Sequence, residues 1–209
     1  MFISIDGGDG AGKTTQVQLL ANSLREAGRP VLTCRDPGTT RLGEAVRKIL
    51  LRDDGIEISP MSETLLFMAA RTQMVEEIIR PALSNGSIVI TDRFLLSTVV
   101  YQGFAGGLDP TDIMTIGRTA MNRLIPDLTI VLDIDPEAGM ARIQRPLDRM
   151  ESKGVEYHRR VRDGFLAGAR LLSDHYGARV EIINALETER EIAEKIHSIV
   201  FDSLENSKK

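Results

Sequence analysis

Gly7-Gly8-Asp9-Gly10-Ala11-Gly12-Lys13-Thr14 follows, after Asp6, on the apolar run Phe2-Ile3-Ser4-Ile5 and fits the spacing G-x-x-x-x-G-K-[ST]. Set between a strand and a helix, its glycines let the backbone curl so that successive N–H groups point at phosphate oxygens. Lys13 adds a mobile positive charge, the Thr14 hydroxyl is placed to ligate Mg²⁺, and Thr15 continues the same turn. A helix opening near Lys13 turns its positive dipole end on the same anion. Gly7, Gly8, Asp9, Gly10, Ala11, Gly12, Lys13, Thr14 and Thr15 are therefore candidate ligands of a nucleoside triphosphate. An ordinary glycine turn would need no Lys-Thr pair after its last glycine.

Outward from this loop, short β-branched runs alternate with longer stretches of helical period, the pattern of a parallel sheet covered by helices. Strands are predicted at Phe2 to Asp6, Val31 to Arg35, Ser87 to Thr91, Leu128 to Asp133 and Val180 to Asn184, mostly apolar as a sheet covered on both faces requires. Helices are predicted at Lys13 to Ala27, Ser62 to Leu83, Asp109 to Arg123, Pro136 to Arg142, Gly154 to Tyr176 and Glu187 to Asn206, with Pro81 ending or kinking the second. The fold class is α/β: a three-layer phosphate-loop NTPase fold with a five-stranded parallel sheet, helices on both faces and a small lid. A length of 209 residues fits a single domain, and the polar Ser207-Lys208-Lys209 tail is expected to fray.

A net charge of −4 gives no support for a nucleic-acid or membrane-surface partner. Cys34 is the one cysteine, so no intrachain disulfide can form, and a lone thiol fits a reducing cytoplasm. No apolar stretch approaches the roughly 18 residues of a membrane span, and no basic segment precedes Met1-Phe2-Ile3. The expectation is a cytoplasmic chain without a cleaved leader. His158, His175 and His197 lack metal-ligand spacing or a nucleophile partner and read as structural or surface residues.

Ligands of such sheets bind beyond the carboxyl ends of the strands. There the chain places the phosphate loop, Arg35-Asp36-Pro37-Gly38-Thr39-Thr40-Arg41, Asp92-Arg93-Phe94 and Asp133-Ile134-Asp135-Pro136. Asp92 is a candidate to hold a Mg²⁺-bound water, and Arg93 to grip phosphate bidentately. The alternative is that the two simply pair with each other. Asp133 ranks second for the metal, with capping of the Pro136 helix as its alternative.

With these pieces in order, the chain resembles bacterial thymidylate kinases, the phosphate-loop nucleoside-monophosphate kinases that move the γ-phosphoryl of ATP to dTMP. The resemblance runs from Phe2 to the C-terminal helix. It rests on Arg35-Asp36-Pro37-Gly38, Leu65-Leu66-Phe67 with Arg71 and Gln73, Asp92-Arg93-Phe94 with Ser97-Thr98 and Tyr101-Gln102-Gly103, and Asp148-Arg149-Met150-Glu151 followed by Tyr157-His158-Arg159-Arg160-Val161-Arg162. It implies dependence on Mg²⁺ with ATP as co-substrate, and a homodimer. It also implies that Phe67 stacks on thymine and Arg71 hydrogen-bonds the base. The i, i+4 spacing puts those two on one helical face. By the same resemblance Thr98 contacts the base, with Ser97, Gln102 and Asp36 beside the acceptor, and Tyr101 closes on the 2′ side of the sugar. Asp9 contacts the 3′-hydroxyl, so the loop that binds ATP touches dTMP as well.

Gly10 implies the group of thymidylate kinases that carries its basic residue in the lid, here about 142–153. Arg149 is the first candidate, with Arg145 and Arg142 behind it. Lys13, Mg²⁺ on Thr14, Arg93 and a lid arginine then surround the moving phosphoryl, because such transfer needs positioning and positive charge rather than a nucleophile. The chain departs from the family at Asp36, where glutamate is usual, at Thr39-Thr40 for a glycine-threonine pair, at Ala70 for a frequent aspartate, and at Gln144 for a common lid arginine. Two other readings stand beside this one: another deoxynucleotide or deoxynucleoside kinase of the same fold, and a phosphate-loop nucleotide-binding regulatory protein.

Overall fold

Five parallel strands carry the site, in the order β2-β3-β1-β4-β5: β1 (Phe2–Gly7), β2 (Val31–Arg35), β3 (Ile88–Asp92), β4 (Leu128–Asp133) and β5 (Arg179–Asn184). The computed structural model describes residues 1–52 and 55–206; the Ser207-Lys208-Lys209 tail lies outside them. Alternation along the strands splits the apolar side chains between two cores. Phe2, Val89 and Val131 face one; Ile3, Ile5, Ile90, Ile130 and Leu132 face the other, together with Leu20 and Leu24 of α1 (Lys13–Glu26). Chain order reverses direction beside β1. In register, Ile5 lies against Asp92, and Asp92 against Arg35. The phosphate loop, Asp92-Arg93 and Arg35-Asp36 therefore share one rim, as the sequence predicts.

Two helical segments escape the sequence reading. The first, α2 (Arg41–Leu51), follows β2 immediately, with the Thr40 hydroxyl accepting from Gly43 N at 2.9 Å as its N-cap. The family departure Thr39-Thr40 has a local reason here. Thr39 takes a left-handed φ of 68°, its hydroxyl receives Arg35 N at 2.9 Å, and Thr40 starts the helix. The spacing of Val46 and Leu50, both buried, was the signal that turn chemistry obscured.

The second runs after β3 as α5 (Leu95–Thr98), continued by a π-helical turn over Val99–Phe104. It packs on α8 (Val155–Tyr176), where Gly164 and Gly168 stand one turn apart. A Cβ on either would come within 2.8 Å of Phe104 or Leu96. Small residues here let the segment bearing Tyr101 and Gln102 approach closely.

The predicted Ser62-to-Leu83 helix is α3 (Pro60–Met74), a π turn (Val75–Ile79) and α4 (Arg80–Ser84). Pro81 does not end it. Proline lacks an N–H and crowds the carbonyl four residues back. The widened turn just before it, with Arg80 N bonded to Val75 O, absorbs that mismatch. The remaining helices are α6 (Pro110–Ala120), α7 (Pro136–Ala141) and α9 (Glu189–Asn206). Asp135, not Asp133, caps α7, accepting from Glu137 N at 3.0 Å.

If Thr40 starts α2 as described, Thr40→Ala lowers unfolding free energy by about 1 kcal/mol in urea titrations. An unchanged midpoint would remove the cap from this account.

Candidate active site

The rim opens into a cleft of about 800 Å³, lined on one side by Asp9 to Gln16 and on the other by Phe67, Arg71, Ser97, Thr98, Tyr101 and Gln102. Gly10 and Gly12 take left-handed φ values of 74° and 85°, which puts Lys13 at the first position of α1. No side chain caps that helix, so its first-turn N–H groups are left for an anion. Gly10 also packs against α7: a Cβ on it would lie 1.9 Å from the Gly139 carbonyl. Gly7 and Gly8 sit behind the cleft lining; their carbonyls accept from Arg93 Nη1 (3.0 Å) and Lys13 Nζ (2.6 Å).

Arg93 does not pair with Asp92. Its φ of 69° swings the side chain toward the loop, where Nη2 donates to Asp9 Oδ1 at 2.5 Å and Nη1 to Ser97 Oγ at 3.2 Å. The Tyr101 hydroxyl donates to the other Asp9 oxygen at 2.7 Å, and Arg93 lies 5.1 Å over the Tyr101 ring. Burial works to raise the Asp9 carboxyl, yet Arg93, Lys13 and the Tyr101 hydroxyl together hold it below the ordinary range. Asp9 is thus a fixed carboxylate between two walls. Ser97 in turn donates to the buried Asp6 at 2.6 Å.

Asp92 accepts from the Thr14 hydroxyl at 2.5 Å, which puts two hard oxygen donors side by side below the phosphate loop. Asp133, the second metal candidate, is gripped bidentately by Arg162 at 2.7 and 2.9 Å and lies outside the cleft. Among the described residues no three His, Cys, Asp or Glu side chains cluster as a protein-only metal cage.

Arg71 is buried at 1 % exposure and bonded on each side of its guanidinium. Nε pairs with Asp36 and Nη2 donates to Thr98 Oγ1 at 2.7 Å. Burial pushes the Asp36 carboxyl up and Arg71 pulls against it. Phe67, one turn earlier, is half-buried against Val46, Leu50 and Ala70. Ala70 is itself fully buried, so the aspartate frequent there in the family would meet that apolar cluster. Gln73 points away, exposed and bonded to Glu77 at 2.9 Å.

The three arginines expected in a lid stand in a different order from the one expected. Arg142 and Arg145 line the cleft, whereas Arg149 does not. Arg149 is held by Glu63 (2.6 Å) and the Leu50 carbonyl (2.9 Å). Asp148-Arg149-Met150-Glu151 folds as a reciprocal cap: Asp148 Oδ1 accepts from Met150 N and Glu151 N, and Glu151 Oε2 accepts from Asp148 N. Glu151 also grips Arg145 at 2.6 and 2.8 Å. His158, expected to be merely structural or at the surface, is buried with Nε2 2.9 Å from the Glu151 carbonyl and Nδ1 3.8 Å from Asp9. Arg35, which the sequence placed at this rim without a role, also lines the cleft; so does Arg47, which was not foreseen and sits on the overlooked helix α2.

A five-stranded parallel sheet with the phosphate loop after its central strand and a charged, two-sided cleft beside it defines a phosphate-loop kinase. The family model described as "Thymidylate kinase" matches residues 5–196. A protein named thymidylate kinase from Rhodopirellula baltica is 44 % identical over 95 % of this chain and 79 % of its own length. Others so named, from Maridesulfovibrio salexigens and Caldanaerobacter subterraneus subsp. tengcongensis, are each 41 % identical, over 98 % and 99 % of this chain and 96 % and 98 % of their own lengths. The chain belongs to the thymidylate kinase family.

Burial, seconded by the Arg93 charge, brings the Lys13 ammonium down to about 8 against the pull of Asp9, Asp92 and Asp6. A polyphosphate beside it favours the charged form. Binding ATP near pH 8 is therefore expected to take up a proton, and affinity to fall as pH rises through that value. Calorimetry in buffers of differing ionisation enthalpy measures the uptake; none at pH 8 would contradict the assignment.

Proposed function

We propose that this chain transfers the γ-phosphoryl of ATP to dTMP, giving dTDP and ADP. The observation that carries it is Asp9. This residue belongs to the phosphate loop by sequence, yet it is bonded to Arg93 and Tyr101 of the opposite wall. A loop that holds the donor thereby also supplies a carboxylate facing the acceptor, suited to receive a sugar hydroxyl proton.

In this reading Lys13 and the N–H groups of the loop hold the donor phosphates, with Thr15 on the same turn. Arg93 neutralises the acceptor phosphate and orients its attacking oxygen. Phe67 offers a ring face to thymine, and Arg71 and Thr98 offer hydrogen bonds to its edge, with Asp36 and Ser97 bracing the two arginines. Tyr101, fixed by Asp9, closes the slot on the sugar's 2′ side, and Gln102 lines the slot beside it. Thr14 through its hydroxyl and Asp92 through a water fit Mg²⁺, which favours hard oxygens and completes its shell with substrate phosphates and water. That ion supplies charge neutralisation on the transferring phosphates.

The reading makes the chain one catalytic domain whose segment 142–153 is a lid. Arg142 and Arg145 are the lid residues next to the phosphates, while Arg149 anchors the lid root. Closure keeps water from the phosphoryl group. No helix among the described residues is long and apolar enough to cross a membrane, and the same reading places the protein in the cytoplasm as a homodimer. Exposed Leu42, Ile49, Met61 and Leu65 on α2 and α3 are the apolar face for that dimer.

The decisive assay mixes protein, ATP and Mg²⁺ with dTMP, dUMP, dCMP, AMP or no acceptor and follows ADP. Release fastest with dTMP is expected; equal rates throughout would defeat the proposal. Lys13→Ala is expected to lower kcat by about a hundredfold or more. Arg71→Lys keeps a charge for Asp36 but loses the planar fork, so dTMP affinity should fall about tenfold with ATP affinity unchanged. Retained dTMP affinity would take Arg71 out of the base site.

A further inference from the structure

Glu63 is a buried carboxylate, 4 % exposed, that no motif singled out. It lies in the first turn of α3, where the helix dipole favours an anion. It also stands four residues before Phe67 and eight before Arg71, so these three side chains share one helical face. Its two oxygens are used for different purposes. Oε2 accepts from Gln102 Nε2 at 3.1 Å, and Oε1 pairs with Arg149 Nη1 at 2.6 Å.

Two rungs consequently join α3 to the segment bearing Tyr101 and Gln102. One is Arg71 to Thr98, the other Glu63 to Gln102, and their α3 ends stand four residues either side of Phe67. Phe67 lines the cleft together with Thr98 and Gln102, so the separation of these walls bears on the width of that part of the cleft. Through its other oxygen Glu63 holds Arg149, whose Nε and backbone N are bonded to Leu50 and Leu51 carbonyls at the end of α2. That contact fixes the root of the 142–153 segment. The amide oxygen of Gln102 and the Nη2 of Arg149 are buried without partners, so neither side chain has another anchor of equal strength to fall back on.

We propose that Glu63 is a positioning residue that couples the acceptor slot to the lid: one carboxylate sets the Phe67–Gln102 spacing and the lid root together. It touches neither substrate. This inference rests on the kinase reading above. Wild-type turnover with dTMP is therefore the control: if it is absent, that reading fails and the Glu63 variants say nothing further.

Given wild-type turnover, Glu63→Gln keeps the size of the side chain but has only one acceptor oxygen for two donors. The expected result is a rise of about tenfold in KM for dTMP together with a fall of about tenfold in kcat, while KM for ATP stays within about twofold. Glu63→Asp, which keeps the charge, should fall between Gln and wild type in both quantities. Arg149→Met should lower kcat with little change in KM for dTMP, because it cuts only the lid arm. Unchanged kinetics with a lowered urea midpoint would show a merely structural role and overturn the proposal. So would a shift confined to kcat or to KM for dTMP in Glu63→Gln, or an equal rise in both KM values. Should Glu63→Gln fail to fold, the same criteria apply to Glu63→Asp, whose wild-type constants would overturn it.

Discussion

The guanidinium of Arg93 is the junction on which this site depends. Four groups from two pieces of chain meet there: the Gly7 carbonyl and the Asp9 carboxylate of the phosphate loop, and Ser97 and Tyr101 of the segment after β3. A non-glycine residue in the left-handed region costs of order 1 kcal/mol or more, and the contacts made by the side chain are what hold it there. The arrangement explains how an acidic chain keeps a phosphate site. Positive charge is gathered in one cleft, where Arg71, Arg93 and Arg145 are balanced by carboxylates and Lys13 and Arg142 are held by backbone carbonyls.

Burying so many charges has a cost that is met by pairing rather than by avoidance. Arg71 with Asp36, and Arg149 with Glu63, are nearly removed from water. Such pairs add little net stability, but removing one partner strands the other at a cost of about 3–5 kcal/mol. They fix geometry more than they hold the fold together. The fold rests instead on the two apolar layers either side of the sheet, which leaves the rim free to be polar.

How much of this could be read in the chain varied with the kind of order involved. The five strands and the phosphate loop are local signals, an apolar run and a glycine spacing, and both stood where predicted within a residue or so. The helix α2 was hidden because Asp36-Pro37-Gly38-Thr39-Thr40 is turn-forming chemistry, and Thr40 reads equally as turn or cap. The Val99–Phe104 segment was hidden because Val99 and Val100 favour strands locally, and only packing on Gly164 and Gly168 makes it helical. The order of the lid arginines was illegible for a different reason. Arg142, Arg145 and Arg149 are alike in composition, and what separates them is the position of Glu63 and Glu151 in space. Gly10 was read only as a sign that the basic residue lies elsewhere; that the loop has no room there for a side chain is visible only in the structure.

The reason is Gly139. A side chain there would meet the Asp9 carbonyl at 2.4 Å, just as one on Gly10 would meet the Gly139 carbonyl. These two glycines form a backbone-to-backbone seam between the phosphate loop and α7, the helix that leads into Arg142. The seam ties the residue at which the proposed lid begins to the floor of the nucleotide site, so that closure as proposed would start beyond α7. It also means that damage at Gly139, distant in sequence and carrying no functional group, would present itself as a nucleotide-binding defect.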